Sequence, residues 1–109
     1  MAEILLLVGC GPLYIGSCRL TFRLHGNDSL KGKRQVSRSL IDRFRQRFNL
    51  AAAEVGAMDE HQRLIIGIAC VSNEYSHAEQ MLDKAVAFAG NHHLDAELVD
   101  VERGVADED

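Results

Sequence analysis

Seven cations and one acid fall between Leu30 and Phe48: Lys31, Lys33, Arg34, Arg38, Arg43, Arg45 and Arg47 against Asp42. The stretch carries +6 in a chain whose net charge is −4, which leaves −10 on the rest. Such residues suit the binding of phosphate backbones, because neutralising phosphates releases condensed counterions and a guanidinium can grip a phosphate with two N–H groups. At 100° per residue, Lys31, Arg34, Arg38 and Arg45 share a sector roughly 60° wide beside the apolar stripe Val36, Leu40, Ile41, Phe44 and Phe48. Arg43 and Arg47 lie on the opposite flank of that stripe. The first four are predicted to dock RNA or a ribosomal subunit, with Lys33, Arg43 and Arg47 in secondary roles. A solvated helix face is the competing account, although Asp42 alone cannot neutralise it.

Other chemistry is poorly supplied. His25, His61, His77, His92 and His93 show no HxxxH spacing, and Cys10, Cys18 and Cys70 include no Cys-x-x-Cys pair. No metal, cofactor or small-molecule substrate is therefore predicted. Three cysteines are an odd number with no export signal ahead of them, which suits reduced thiols in a cytoplasmic protein. The run Ile4 to Val8 is too short to cross a bilayer, and no membrane association is expected. No serine or cysteine has a recognisable catalytic neighbourhood, so the protein is read as non-catalytic.

The elements that must position the cations follow from periodicity. A chain of 109 residues, 47% hydrophobic and 26% charged, suits one globular core. Tyr14 to Leu24 alternates, with Tyr14, Gly16, Cys18, Leu20, Phe22 and Leu24 on one face and Ile15, Ser17, Arg19, Thr21 and Arg23 on the other, as a half-buried strand does. His25 to Asp28 breaks the pattern and Ser29 is placed to cap a helix from Leu30, although Gly32 stands where a capping box wants Glu or Gln. Leu50 to Val55 and Leu64 to Val71 read as a hairpin. Ser72-Asn73, or Ser76 with Glu79, offers a start for a second helix, whose stripe is Ala78, Met81, Leu82, Ala85, Phe88 and Ala89 before Gly90-Asn91. Leu94 to Glu102 reads as a last strand in which either Leu98 or the pair Val99 and Val101 faces inward.

The order β-α-β-β-α-β predicts an α+β, ferredoxin-like sandwich: a four-stranded antiparallel sheet with two helices on one face. Residues 14–103 form the domain, 1–13 an N-terminal extension, and 104–109 an acidic C-terminal tail.

The runs Gly26-Asn27-Asp28-Ser29-Leu30-Lys31-Gly32-Lys33-Arg34, Ser39-Leu40-Ile41-Asp42-Arg43, Arg47-Phe48-Asn49, Ala53-Glu54-Val55, Gln62-Arg63, Gly67-Ile68-Ala69, Val71-Ser72-Asn73 and Asp100-Val101-Glu102-Arg103 carry a resemblance. In that order, from about Tyr14 to Arg103, the chain resembles the YlxP-like family of small bacterial proteins. The resemblance implies a ferredoxin-like fold. It also implies a genetic neighbourhood of transcription, translation initiation and ribosome maturation, and it implies no established reaction. The chain departs from the family at Gly32, where an acid is favoured, and at His25, where proline is usual.

Two alternatives stand beside RNA binding. The open sheet face, with Ile15, Arg19, Arg23 and Ile65, offers no aromatic for base stacking but suits a homodimer interface. An acylphosphatase-like hydrolase would use the loop Gly26 to Ser29 at a helix start as its anion cradle. That activity needs an arginine in the loop, and residues 25–28 contain none.

Overall fold

The computed structural model describes residues 11–91 and 95–108, so most of the predicted N-terminal extension, His92 and His93 lie outside the described residues. Six elements follow one another: β1 (Tyr14–Leu24), α1 (Leu30–Arg47), β2 (Ala51–Gly56), β3 (Arg63–Ser72), α2 (Tyr75–Gly90) and β4 (Ala96–Asp107). The strands form one antiparallel sheet in the order β2-β3-β1-β4, which makes the most apolar strands, β1 and β3, the central pair. This is the expected α+β, ferredoxin-like arrangement.

Alternation along β1 and β3 builds the core. Leu20, Phe22 and Leu24 from β1 and Leu64, Ile66 and Ile68 from β3 are buried against Leu40 and Phe44 of α1 and Leu82, Ala85 and Phe88 of α2. The Phe44 and Phe88 rings meet edge to face at 5.2 Å and lock the helices to each other. Gly16 is required for close packing, since a Cβ there would lie 2.9 Å from Cys70 Sγ and 3.2 Å from a Leu82 methyl.

Ser29 caps α1 as expected: its hydroxyl accepts the Gly32 N–H at 3.0 Å. Asn27 supplies the restraint that a capping box would have supplied. Its amide donates to the Ser29 carbonyl at 2.8 Å and to the His61 carbonyl at 2.5 Å, tying the helix start to the β2–β3 loop. A Cβ at residue 32 would come within 2.2 Å of Asn27 Oδ1, so Gly32 makes room for that bridge. The second helix begins at Tyr75 rather than Ser76, and the Ser72 hydroxyl accepts the Glu74 N–H at 3.0 Å just ahead of it.

The alternation in β4 is interrupted, which is why its inward residues could not be assigned by period. Thr21 pairs with Asp100 and Phe22 with Leu98, leaving Val99 as the extra residue of a bulge. Leu98 and Val101 both pack against the core, and Val99 is 49% exposed. β4 also runs beyond Glu102. Gly104 to Asp107, expected as the start of a solvated tail, pair with Ser17 to Tyr14. Truncating Leu98 or Val101 to alanine should each lower unfolding free energy by about 1–2 kcal/mol, whereas Val99→Ala should stay within about 0.5 kcal/mol. Urea unfolding followed by circular dichroism measures the contrast.

Candidate nucleic-acid interface

One of the seven cations is removed from the surface. Lys33 is 2% exposed, its ammonium 3.2 Å from Glu54 Oε2 on β2 and also donating to the Ala57 carbonyl in the following turn. Ser37, one turn further along α1, is likewise buried and donates to Glu54 Oε1 at 3.2 Å. Lys33 is therefore not a nucleic-acid contact but the internal anchor of α1. The helical wheel holds the missed signal: residue 33 lies within about 20° of Leu40 and Phe44, inside the apolar stripe.

Pinning residues 33 and 37 inward aims the next positions outward. Lys31, Arg34, Arg38 and Arg45 are all exposed, on the flank of α1 that overhangs the edge strand β2. Lys31, Arg34 and Arg38 form no ion pair with any described residue. Arg45 keeps its charge but spends one N–H on the Ala52 carbonyl at 2.7 Å, which fixes the guanidinium and covers part of the β2 edge. Arg34, Arg38 and Arg45 line a shallow groove of about 310 Å³ with Ser37, Asp42 and Glu54. Lys31, Arg34, Arg38 and Arg45 thus share one exposed flank of α1, and the partly buried carboxylate of Glu54 beside the groove is paired with Lys33.

The flanking cations go elsewhere. Arg47 lies over the Phe88 ring at 4.9 Å, a cation–π contact that turns it toward α2. Arg43 is engaged in a contact of its own. Both therefore stand apart from the ridge.

The opposite side of the sheet carries Ser17, Arg19, Thr21 and Arg23 beside Ile65, Gly67, Ala69 and Val71. Ile65 is only 8% exposed, its Cδ1 packed beneath Gly56 at the β2 bulge, so it cannot serve as an interface anchor. Ile15 is half-buried, Arg23 is exposed, and Arg19 is paired with Glu102 at 3.4 Å. The accessible apolar chains are instead Val55 (52%) and Val71 (64%). Beside Val55 lies a depression of about 670 Å³ lined also by Ser17, Ala51, Ala53, Gly67, Ala69 and Gly104.

Comparison with known proteins adds the family. Residues 15–103 match the model of the family described as "Protein of unknown function (DUF503)". The chain belongs to that family. A relative from Bacillus subtilis (strain 168), described as "Uncharacterized protein YlxP", is 34% identical over 74 residues, covering 68% of this chain and 80% of its own length. The DUF503 match starts one residue into β1 and ends at Arg103, so it spans all six elements, including the whole ridge.

Elsewhere in the DUF503 domain, side chains capable of chemistry are held in structural roles. Ser72 Oγ stands 3.0 Å from His77 Nδ1, a contact not legible in the sequence, but the same hydroxyl already accepts the Glu74 N–H. No carboxylate among the described residues orients the other nitrogen of that ring. Burial pushes the Cys18 and Cys70 thiols above the ordinary value of 9.0, with Arg103 lowering the first and the Gly16 backbone lowering the second by less. Both stay protonated and pack as small hydrophobes. In the β1–α1 loop, Gly26 takes a left-handed φ of 74° and Asn27 spends its amide on carbonyls. Arg103, the last residue of the family match, clamps β4 to α2 through Asp83 at 2.7 Å and Glu79 at 2.8 Å. No helix among the described residues is long and apolar enough to cross a membrane.

The Lys33 anchor predicts an asymmetry. Glu54→Gln strands an ammonium that has no access to water, and should cost about 3 kcal/mol. Lys33→Met leaves only Glu54, whose side chain is 16% exposed and can rehydrate, and should cost clearly less. Equal losses in urea unfolding would mean that the buried charge is not the anchor.

Proposed function

We propose that the protein is a non-catalytic RNA-binding accessory factor that docks on phosphate backbone, free or within a ribosomal subunit, through Lys31, Arg34, Arg38 and Arg45. One observation carries the reading: on a chain of net charge −4, three adjacent cations of one rigid helix face solvent with no carboxylate partner among the described residues, beside a fourth held in place. Unpaired surface cations repel one another, and a polyanion relieves that repulsion. The ridge reads no sequence, since it offers charge to phosphates and no bidentate pattern to bases.

With about four phosphates engaged, the logarithm of affinity should fall with the logarithm of salt at a slope near −3 on single strands. Lys31→Glu, Arg34→Glu and Arg38→Glu combined should abolish co-sedimentation with ribosomal subunits at low salt while leaving the unfolding midpoint nearly unchanged. Arg45 is spared because it also holds the β2 edge. Unaltered co-sedimentation in the triple variant would refute the ridge.

The depression on the open sheet face supports a second reading, a homodimer formed face to face. Its alanines and glycines allow two sheets to approach closely. A four-stranded face covers roughly 550 Å² per partner, so a pair would bury about 1,100 Å², just past what a stable interface needs. Val71→Asp with Ala51→Asp, both at exposed positions, should convert a dimer to a monomer in light scattering; a monomeric wild type rules this reading out.

A further inference from the structure

We infer that the ligand of the α1 ridge is duplex RNA rather than single-stranded RNA; the inference rests on the ridge being a phosphate-binding face. Three observations separate the two ligands.

Single strands are held by basic grooves in which aromatic side chains stack the bases, at about 1–3 kcal/mol per base. The shallow groove that Arg34, Arg38 and Arg45 line has no aromatic in its walls. Tyr14 and Tyr75 belong to β1 and α2 and are packed edge to face on each other at 5.9 Å. Nothing beside the cations receives an unstacked base, whereas a duplex presents phosphates with its bases already satisfied.

The charge distribution also favours a rod. From residue 31 to residue 45 the ridge extends about 21 Å along α1, on the order of four phosphate spacings. Beyond it the chain carries −10, including Glu97, Asp100 and Glu102 on β4 and Glu79 and Asp83 on α2. A flexible strand that follows the surface past α1 runs into this field. A stiff duplex touches the ridge tangentially and leaves the acidic surface behind.

Uncharged donors adjoin the cations. Gln35, Ser39 and Gln46 are exposed on the outward row of α1 next to Arg38. Amides and hydroxyls in that position suit the 2′-hydroxyls that line the shallow minor groove of A-form RNA, which DNA lacks. Asp42 lies in the same row and sets a limit on how closely a phosphate can approach there.

The experiment uses the full chain and fluorescence anisotropy at low salt, with an RNA duplex of about 20 base pairs, one unstructured strand of it, and the DNA duplex of the same sequence. The RNA duplex should bind about tenfold more tightly than the strand and several-fold more tightly than the DNA duplex. Arg34→Glu with Arg38→Glu should remove binding to all three, and Gln35→Ala with Gln46→Ala should erase the preference for RNA over DNA. Equal or tighter binding of the single strand overturns the duplex inference while leaving the ridge standing. Equal binding of the DNA duplex overturns the role given to the uncharged donors. No binding of any probe overturns the ridge itself.

Discussion

Lys33 sits at 2% exposure with its ammonium shared between Glu54 and the Ala57 carbonyl, and the orientation of the cationic surface depends on that arrangement. Taking an ammonium out of water costs several kcal/mol, offset only when its hydrogen-bonding capacity is met in good geometry. The contact therefore specifies as well as stabilises, because α1 cannot rotate about its axis without stranding the charge. Ser37 makes the same demand from one turn away through the same carboxylate. With residues 33 and 37 fixed toward β2, residues 34, 38 and 45 emerge about 100° round the helix. The ridge faces solvent because the lysine does not.

Both edges of the sheet carry a bulge, at Val55 in β2 and at Val99 in β4. Bulges disrupt the row of free backbone groups that would otherwise recruit another strand, and Arg45 covers the Ala52 carbonyl on the β2 side as well. Both edges are thereby blunted, which leaves two surfaces open to solvent, the α1 flank and the outer face of the sheet. These differ in kind. The first is a row of cations beside a shallow, mostly polar groove; the second is a shallow bed of small residues bordered by the Arg19–Glu102 pair. The β2 bulge joins the two surfaces physically, since it buries Ile65 on one side while Glu54, the residue before it, holds Lys33 on the other.

Sequence periodicity resolved what depends on regular repetition. The alternation of β1 and β3, the stripe of α2 and the Ser29 cap need only local geometry, and each stands where it was expected. Irregularity hid the rest. One extra residue at Val99 reverses the alternation of β4, so neither of the two options considered for its inward face was complete. The fate of Lys33 required Glu54, twenty-one residues away, to arrive beside it, and a charge on the buried stripe has no local signature of its partner. Ile65 alternates onto the open face, yet the Gly56 bulge covers it, which no count of two along β3 reveals. Of the predicted cations, the ones placed correctly are those whose position on the helix alone decides their exposure.

A chain with −10 outside one helix and +6 within it has a large dipolar asymmetry, and folding could have dissipated it by pairing α1 with the acidic surface. It did not. Among the described residues, Arg19 pairs with Glu102, Arg103 pairs with Glu79 and Asp83, and the His25 ring meets Glu97. Lys33 pairs with Glu54, which lies on the strand beneath the helix. Opposite charges on one small domain attract wherever the backbone allows them to meet. The fold instead stacks α1 over the β2 edge, across the sheet from β4, and keeps the two fields at opposite sides of the molecule. An approaching polyanion is drawn to one side and repelled by the other, so the same segregation that leaves the ridge unpaired also sets the direction of approach.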